Sequence, residues 1–250
     1  MSHGLGEHVE RYQHVSRFLA GPDCRLTTLV FDYRGHGRSP GARGSVGRYE
    51  ELAEDLEAAL ALLEAMQVPG PMFGLGHSQG GLLLLQAAIR KPGRLAGMVL
   101  SNPALALAIK VPAWKKRLAS VLRAVAPRWA ISGAVPVDWL STHPEYARRR
   151  AADRLVHSRI CAHIYFGMQA VGASIRERPD ALKTRTLLVL GPNDRVTDVE
   201  AIRAFAREVG RGLVDSFELP GAAHEPLNDH GFERAFERIA EWIDRIIPGG

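Results

Sequence analysis

Gly76-His77-Ser78-Gln79-Gly80 is the stretch on which the fold turns. Before it stands a short apolar run, Met72 to Leu75, and after it an apolar segment opens at Leu82-Leu83-Leu84-Leu85. A strand that passes at once into a helix needs a turn so tight that only glycine fits beside the serine. That tightness lifts the Ser78 hydroxyl over the edge of the sheet. The backbone N–H of Gln79, at the start of the helix, then points where a carbonyl oxygen would gain negative charge. The Gly-x-Ser-x-Gly pattern alone is common in ordinary Gly-rich turns; the strand before it and the helix after it make Ser78 a candidate nucleophile.

Outward from that turn, short branched apolar runs alternate with longer segments of helical spacing. Strands are expected at Leu26 to Asp32, Met72 to Leu75, Gly97 to Leu100, Thr186 to Leu190 and Val214 to Leu219. Helices are expected at Tyr49 to Met66, Gly81 to Arg90, Val199 to Val209 and Gly231 to Ile247. This alternation predicts a mainly parallel sheet flanked by helices. The rhythm breaks between Pro103 and about Leu182, where two helical stretches flank a region of Pro and Gly and no strand is expected. Residues 1–102 and 183–250 therefore read as two parts of one α/β core, and 103–182 as a helical cap over the strand ends, where such folds hold ligands.

The 250 residues suffice for one domain, and the formal charge of +5 comes from Arg and Lys spread among Glu and Asp. No nucleic-acid partner is expected from such a surface. Cys24 and Cys161 show neither a paired-cysteine spacing nor a metal-ligand spacing, so a reducing, cytoplasmic setting is the default. No signal peptide or membrane span is read, and a soluble protein is expected. Gly74-Leu75-Gly76 lacks the glycine spacing and the later acidic residue of a dinucleotide loop, and there is no GxxxxGK[ST] or HExxH run. The expectation is no metal and no cofactor.

A serine hydroxyl needs an imidazole to take its proton, and the imidazole needs a carboxylate to orient it. In a nucleophile-elbow fold the chain order is Ser, acid, His. Asp194 follows the strand Thr186 to Leu190, and His224 follows the last strand in a Gly-rich loop, so both fall at the edge where Ser78 emerges. Asp198 is the rival to Asp194, as acid or as helix cap. His230, His36, His77 and His157 are the rivals to His224. A second oxyanion donor fits the N–H of Leu5 in His3-Gly4-Leu5-Gly6, which reads equally well as a disordered tail.

These residues together resemble the monoacylglycerol lipase and lysophospholipase group of the α/β-hydrolase fold. The resemblance runs through His3-Gly-Leu-Gly-Glu-His8 with Arg11-Tyr12, Phe31-Asp-Tyr-Arg-Gly-His-Gly-Arg-Ser39, Gly76 to Gly81, Asn193-Asp194-Arg195 and Gly221-Ala-Ala-His224. It implies hydrolysis of carboxylic esters of a single fatty acyl chain, monoacylglycerol or lysophospholipid, through an acyl-enzyme on Ser78. It also implies a cap that shapes an apolar channel. Members of that group carry upstream strands, one of them central and ending at the His-Gly motif. This sequence starts at the edge of that motif, so those N-terminal strands are expected to be missing.

In the cap, Trp114, Leu118, Val121, Leu122 and Val125 form an apolar stripe beside Lys115, Lys116 and Arg123. Two readings stand: packing on the protein itself, or transient contact with a membrane surface. Ile160, Ile164, Met168, Val171 and Ile175 share the face of a second helix and are candidates for an acyl channel, or for core. The alternatives to a lipase are a short-chain carboxylesterase and a non-catalytic scaffold that binds an apolar ligand. The sequence carries no sign of oligomeric state.

Overall fold

The computed structural model describes residues 1–22, 24–210 and 212–247. In chain order the elements are α1 (Gln13–Ala20), α2 (Glu50–Ala65), β1 (Phe73–His77), α3 (Gln79–Arg90), β2 (Gly97–Ser101), α4 (Ala113–Val125), β3 (Ala130–Ser132) and α5 (Pro144–Ala152). They continue with β4 (Arg159–Cys161), α6 (Ala162–Arg176), β5 (Arg185–Leu190), α7 (Val199–Val209), β6 (Val214–Glu218) and α8 (Phe232–Asp244). One sheet runs in the order β1-β2-β5-β6, with every pair parallel.

Parallel strands covered on both faces are apolar along their whole length, and β2 is buried at all its positions. One core cluster joins α2, α3, α6 and α7 through Leu52, Leu56, Leu83 and Ile202. A second joins α1 and α8 to the sheet through Val15, Leu187, Ile239 and Trp242. The sheet thus has helices on both sides, and its strands end together at one edge. This is the α/β-hydrolase arrangement.

Leu26 to Asp32 is not a strand. The segment runs without ladder pairing, and Val30 is exposed. A strand needs a neighbour to take its backbone groups, and among the described residues β1 on this side pairs only at the Ser2–Gly76 bridge. A cleft of about 460 Å³ lies where a neighbouring strand would run, lined by Ser2, Leu26, Leu29, Phe31, Met72 and Leu75.

Two differences concern residues 103–182. The stretch holds three helices rather than two, α4, α5 and α6, and a small antiparallel pair of strands, β3 and β4. Three-residue strands give too little periodicity to be read from sequence.

Candidate active site

Ser78 stands between β1 and α3 with φ 52° and ψ −119°, a strained conformation for a residue with a side chain. The glycines around it leave no room for a Cβ. One on Gly80 would lie 2.2 Å from the Ser2 carbonyl oxygen, and one on Gly76 would lie 2.8 Å from Gly81. The turn is held by the Ser78 N–H donating to the Ser101 carbonyl at 3.0 Å, and by the Ala104 N–H donating to the Ser78 carbonyl at 3.0 Å. The nucleophile turn is therefore tied to the end of β2.

The structure brings Ser78, His224 and Asp194 together. The Ser78 hydroxyl lies 3.1 Å from His224 Nε2, and His224 Nδ1 donates to Asp194 Oδ2 at 2.7 Å. Asp194 Oδ1 accepts from the N–H groups of Val196 at 2.6 Å and Thr197 at 3.1 Å, and Oδ2 also accepts the Thr197 hydroxyl. Burial alone would raise the Asp194 carboxyl, but the His224 ring and these donors hold it below the ordinary value. Burial would likewise lower His224, and Asp194 overcomes it, so His224 lies above its ordinary value. A proton on His224 is thus stabilised by the carboxylate behind it.

The rivals fall elsewhere. Asp198 caps α7, accepting the Ala201 N–H at 3.1 Å. His230 stacks on His143 with ring centroids 4.3 Å apart. His77 turns its Nδ1 to Ser101 and lies beside the His224 ring; burial, then His224, lower it to about 4. His36 and His157 turn to the carbonyls of Arg34 and Gly35. Burial lowers both, His157 to about 4.

Residues 3–8 form a mostly buried loop. Gly4 lies so close that a Cβ on it would sit 3.3 Å from the Ser78 Cβ. Glu7 fixes the loop, with Oε1 accepting the Gly4 N–H at 2.6 Å and the Tyr12 hydroxyl at 2.8 Å. Leu5 follows Gly4 in this loop and lines the same cavity as Ser78, and Gln79 opens α3 directly after Ser78.

A cavity of about 750 Å³ opens between the strand ends and residues 103–182, with Ser78, His224 and Leu5 in its wall. Ile160, on β4 rather than on the helix, and Met168 line it. Ile164 and Val171 do not. Ile164 is fully buried in the core, and Val171 packs against that core from the side. Four other lining residues, Ile131, Leu122, Tyr165 and Val196, were not among the channel candidates. Leu122 belongs to the apolar stripe of α4, Tyr165 lies off the face read on the second helix, and Ile131 sits on a three-residue strand.

A buried ionic chain escaped the sequence reading. Arg11 donates to Glu7 at 3.1 Å and to Glu225 at 2.8 Å, and Arg150 of α5 donates to Glu225 at 3.3 Å. Burial would raise both carboxyls. His77 and Arg11 pull Glu7 below the usual range, and Arg11 does the same for Glu225. Glu7 and Arg11 stood inside the quoted motif, yet nothing in their spacing pointed to Glu225.

The sequence profile of the family described as "Serine aminopeptidase, S33" matches residues 1–231. The chain belongs to that family. It is 30% identical over 244 residues to a protein of Mycolicibacterium smegmatis named monoacylglycerol lipase, covering 97% of this chain and 86% of the relative. It is 35% identical over 204 residues to a human protein named monoglyceride lipase, covering 79% of this chain and 65% of that one. The crystal structure of a Paleococcus ferrophilus monoacylglycerol lipase superposes with a TM-score of 0.88 at 31% identity, over 98% of this chain and 93% of that one. The likeness to these lipases, together with the Ser–His–Asp geometry, makes this S33-family chain a carboxylic ester hydrolase.

Proposed function

We propose that the protein hydrolyses esters of single fatty acyl chains, monoacylglycerols foremost and lysophospholipids next, through an acyl-enzyme on Ser78. The observation that carries this reading is the Ser78–His224 contact of 3.1 Å in the wall of a 750 Å³ cavity lined by Ile160, Met168 and Leu122. The names of the relatives above support the glyceride as substrate.

In the first half-reaction Ser78 Oγ bonds to the ester carbonyl carbon while His224 Nε2 takes the hydroxyl proton. The carbonyl electron pair moves to oxygen, held by the N–H groups of Leu5 and Gln79. Collapse breaks the bond to the alcohol, which leaves with the proton from His224. Water then attacks the acyl carbon by the same route, releasing the fatty acid and restoring Ser78. Asp194 keeps the imidazole oriented throughout.

Residues 103–182 serve as the cap over this cavity. Trp114, Val121 and Val125 of α4 are 63%, 57% and 73% exposed, which favours a lipid surface over the protein as the partner of the stripe. Lys115, Lys116 and Arg117 on the same helix suit an anionic one. Among the described residues no helix is long and apolar enough to cross a membrane.

The test is a comparison of monooleoylglycerol, lysophosphatidylcholine and a p-nitrophenyl ester series, with Ser78→Ala alongside. Monooleoylglycerol should give the highest kcat/KM, and Ser78→Ala should lose on the order of 10⁴-fold or more. A preference for acetyl over long acyl esters would instead assign a short-chain carboxylesterase. Absence of a fluorophosphonate adduct on Ser78 in folded protein would assign a scaffold.

A further inference from the structure

Asn102 follows β2 directly and is wholly buried. Its φ of 38° lies in the left-handed region, which asparagine tolerates better than most residues. Its side-chain amide spans two loops. Nδ2 donates to the carbonyl oxygens of Ala223 at 3.2 Å and His224 at 3.0 Å, and Oδ1 accepts the Gly191 N–H at 3.1 Å. Its own N–H donates to the Val189 carbonyl on β5 at 3.2 Å.

These bonds meet at one point in the machinery. Gly191 begins the loop that carries Asp194, and Ala223 and His224 form the loop that carries the base. Ser101, the residue before Asn102, accepts the Ser78 N–H. One amide therefore sits where the anchors of all three reacting side chains converge. Close packing leaves no slack there: a Cβ on Gly191 would lie 1.7 Å from the Ala223 carbonyl oxygen.

We propose that Asn102 is a positioning residue of the ester hydrolysis, setting the acid loop and the histidine loop against each other and against the Ser78 turn through its side-chain amide. It touches no substrate. The proposal rests on the reading of Ser78, His224 and Asp194 as the reacting groups. Its chemistry is specific: two carbonyls each take a hydrogen and one N–H needs an acceptor, and among short side chains only a carboxamide offers two donor hydrogens with a separate acceptor oxygen.

Three substitutions test it. Asn102→Asp keeps shape and acceptor but turns an oxygen toward two carbonyl oxygens. Asn102→Gly accepts the backbone angle without strain and removes all three bonds. Asn102→Ser keeps one short donor. Misplacement of reacting groups by about 1 Å costs roughly 100-fold, so Asn102→Asp and Asn102→Gly should lose about that in kcat with KM nearly unchanged, and Asn102→Ser should recover part of it.

The acidic limb of kcat/KM supplies a readout that simple loosening of the fold would not move. The groups facing His224 are Asp194, Glu225, Glu7 and His77. In Asn102→Gly, which adds no charge, weakening the Asp194 contact returns His224 toward its ordinary value, so the limb should move to lower pH. Thr186→Ala is the control, since Thr186 is buried on β5 and its side-chain hydroxyl donates to the Thr184 carbonyl, away from the three reacting groups. It should lower Tm while leaving kcat and the limb in place.

Wild-type kcat in Asn102→Asp and Asn102→Gly, or a wild-type limb in Asn102→Gly, would overturn the proposal, as would the same loss and shift in Thr186→Ala. Fluorophosphonate labelling of wild-type Ser78 separates the two levels. If wild type does not label, the reading of the site fails; if it labels and the Asn102 variants keep full rate, only the role of Asn102 fails.

Discussion

Arg11 holds Glu225, the neighbour of His224, through Nη2 at 2.8 Å and holds Glu7 through Nε at 3.1 Å. The loop beside the oxyanion site and the loop of the base are therefore tied through one cation. All three side chains are almost wholly buried. Removing one member of a buried ionic group leaves uncompensated charge, which costs about 3–5 kcal/mol. Arg11→Met should destabilise the protein by that much in urea denaturation.

The same cation sets how stability responds to acid. Glu7 and Glu225 are held below the usual carboxylate range. A depressed carboxylate contributes stability above its unfolded value, and the contribution is lost as pH falls through the folded value. Wild type should thus stay folded until pH drops well below the ordinary carboxylate range. In Arg11→Met both folded values rise, and the two carboxylates repel one another. Acid unfolding followed by circular dichroism should begin at higher pH in the variant.

His224 has the opposite sign. Its value is raised by Asp194, so its protonated form is stabilised in the folded protein and that contribution disappears as pH rises through the folded value. Catalysis needs the neutral ring, so the acidic limb of kcat/KM should lie above the 6.5 of an ordinary histidine. Asp194→Asn should shift that limb downward and lower kcat on the order of 10⁴-fold. A limb unmoved by the substitution would remove His224 as the base.

Gly80 tests the turn itself. A methyl group there meets the carbonyl oxygens of Ser2 at 2.2 Å and His3 at 2.5 Å. Neither is the tip of a flexible side chain, so the backbone beside the oxyanion loop must move. Gly80→Ala should cost about 1–3 kcal/mol in stability and should lower kcat more than it raises KM. Unchanged kinetics would mean that residues 2–5 contribute nothing to the transition state.

What was legible in the sequence depended on how local its cause was. The Ser78 turn is set by adjacent glycines, and Asp194 and His224 each follow a strand that its own residues define, so each stood out as a candidate, and the structure sets the three side chains within hydrogen-bond reach. Leu26 to Asp32 has strand composition, but pairing depends on a neighbour that composition does not report. Arg11 and Glu225 lie 214 positions apart, and nothing near either one marks the contact. Asn102 was equally silent, because its three partners come from two loops distant in sequence. Amphipathic spacing in α4 described a stripe but not what covers it, and the exposure of Trp114 and Val125 supports the proposed surface contact.

That exposed stripe makes a separable prediction. Trp114, Val121 and Val125 do not line the cavity, so changing them leaves the chemistry alone. Burying each in lipid is worth about 1.5 kcal/mol or more. Trp114→Ser, Val121→Ser and Val125→Ser combined should therefore weaken binding to vesicles containing anionic phospholipid at least tenfold. Hydrolysis of a soluble p-nitrophenyl ester should stay at the wild-type rate. Lys115, Lys116 and Arg117 add an electrostatic part that salt screens, so raised NaCl should weaken binding further in wild type and variant alike. Equal vesicle affinity for the two proteins, measured by sedimentation, would move the lipid contact away from α4 and leave the stripe without a role at the surface.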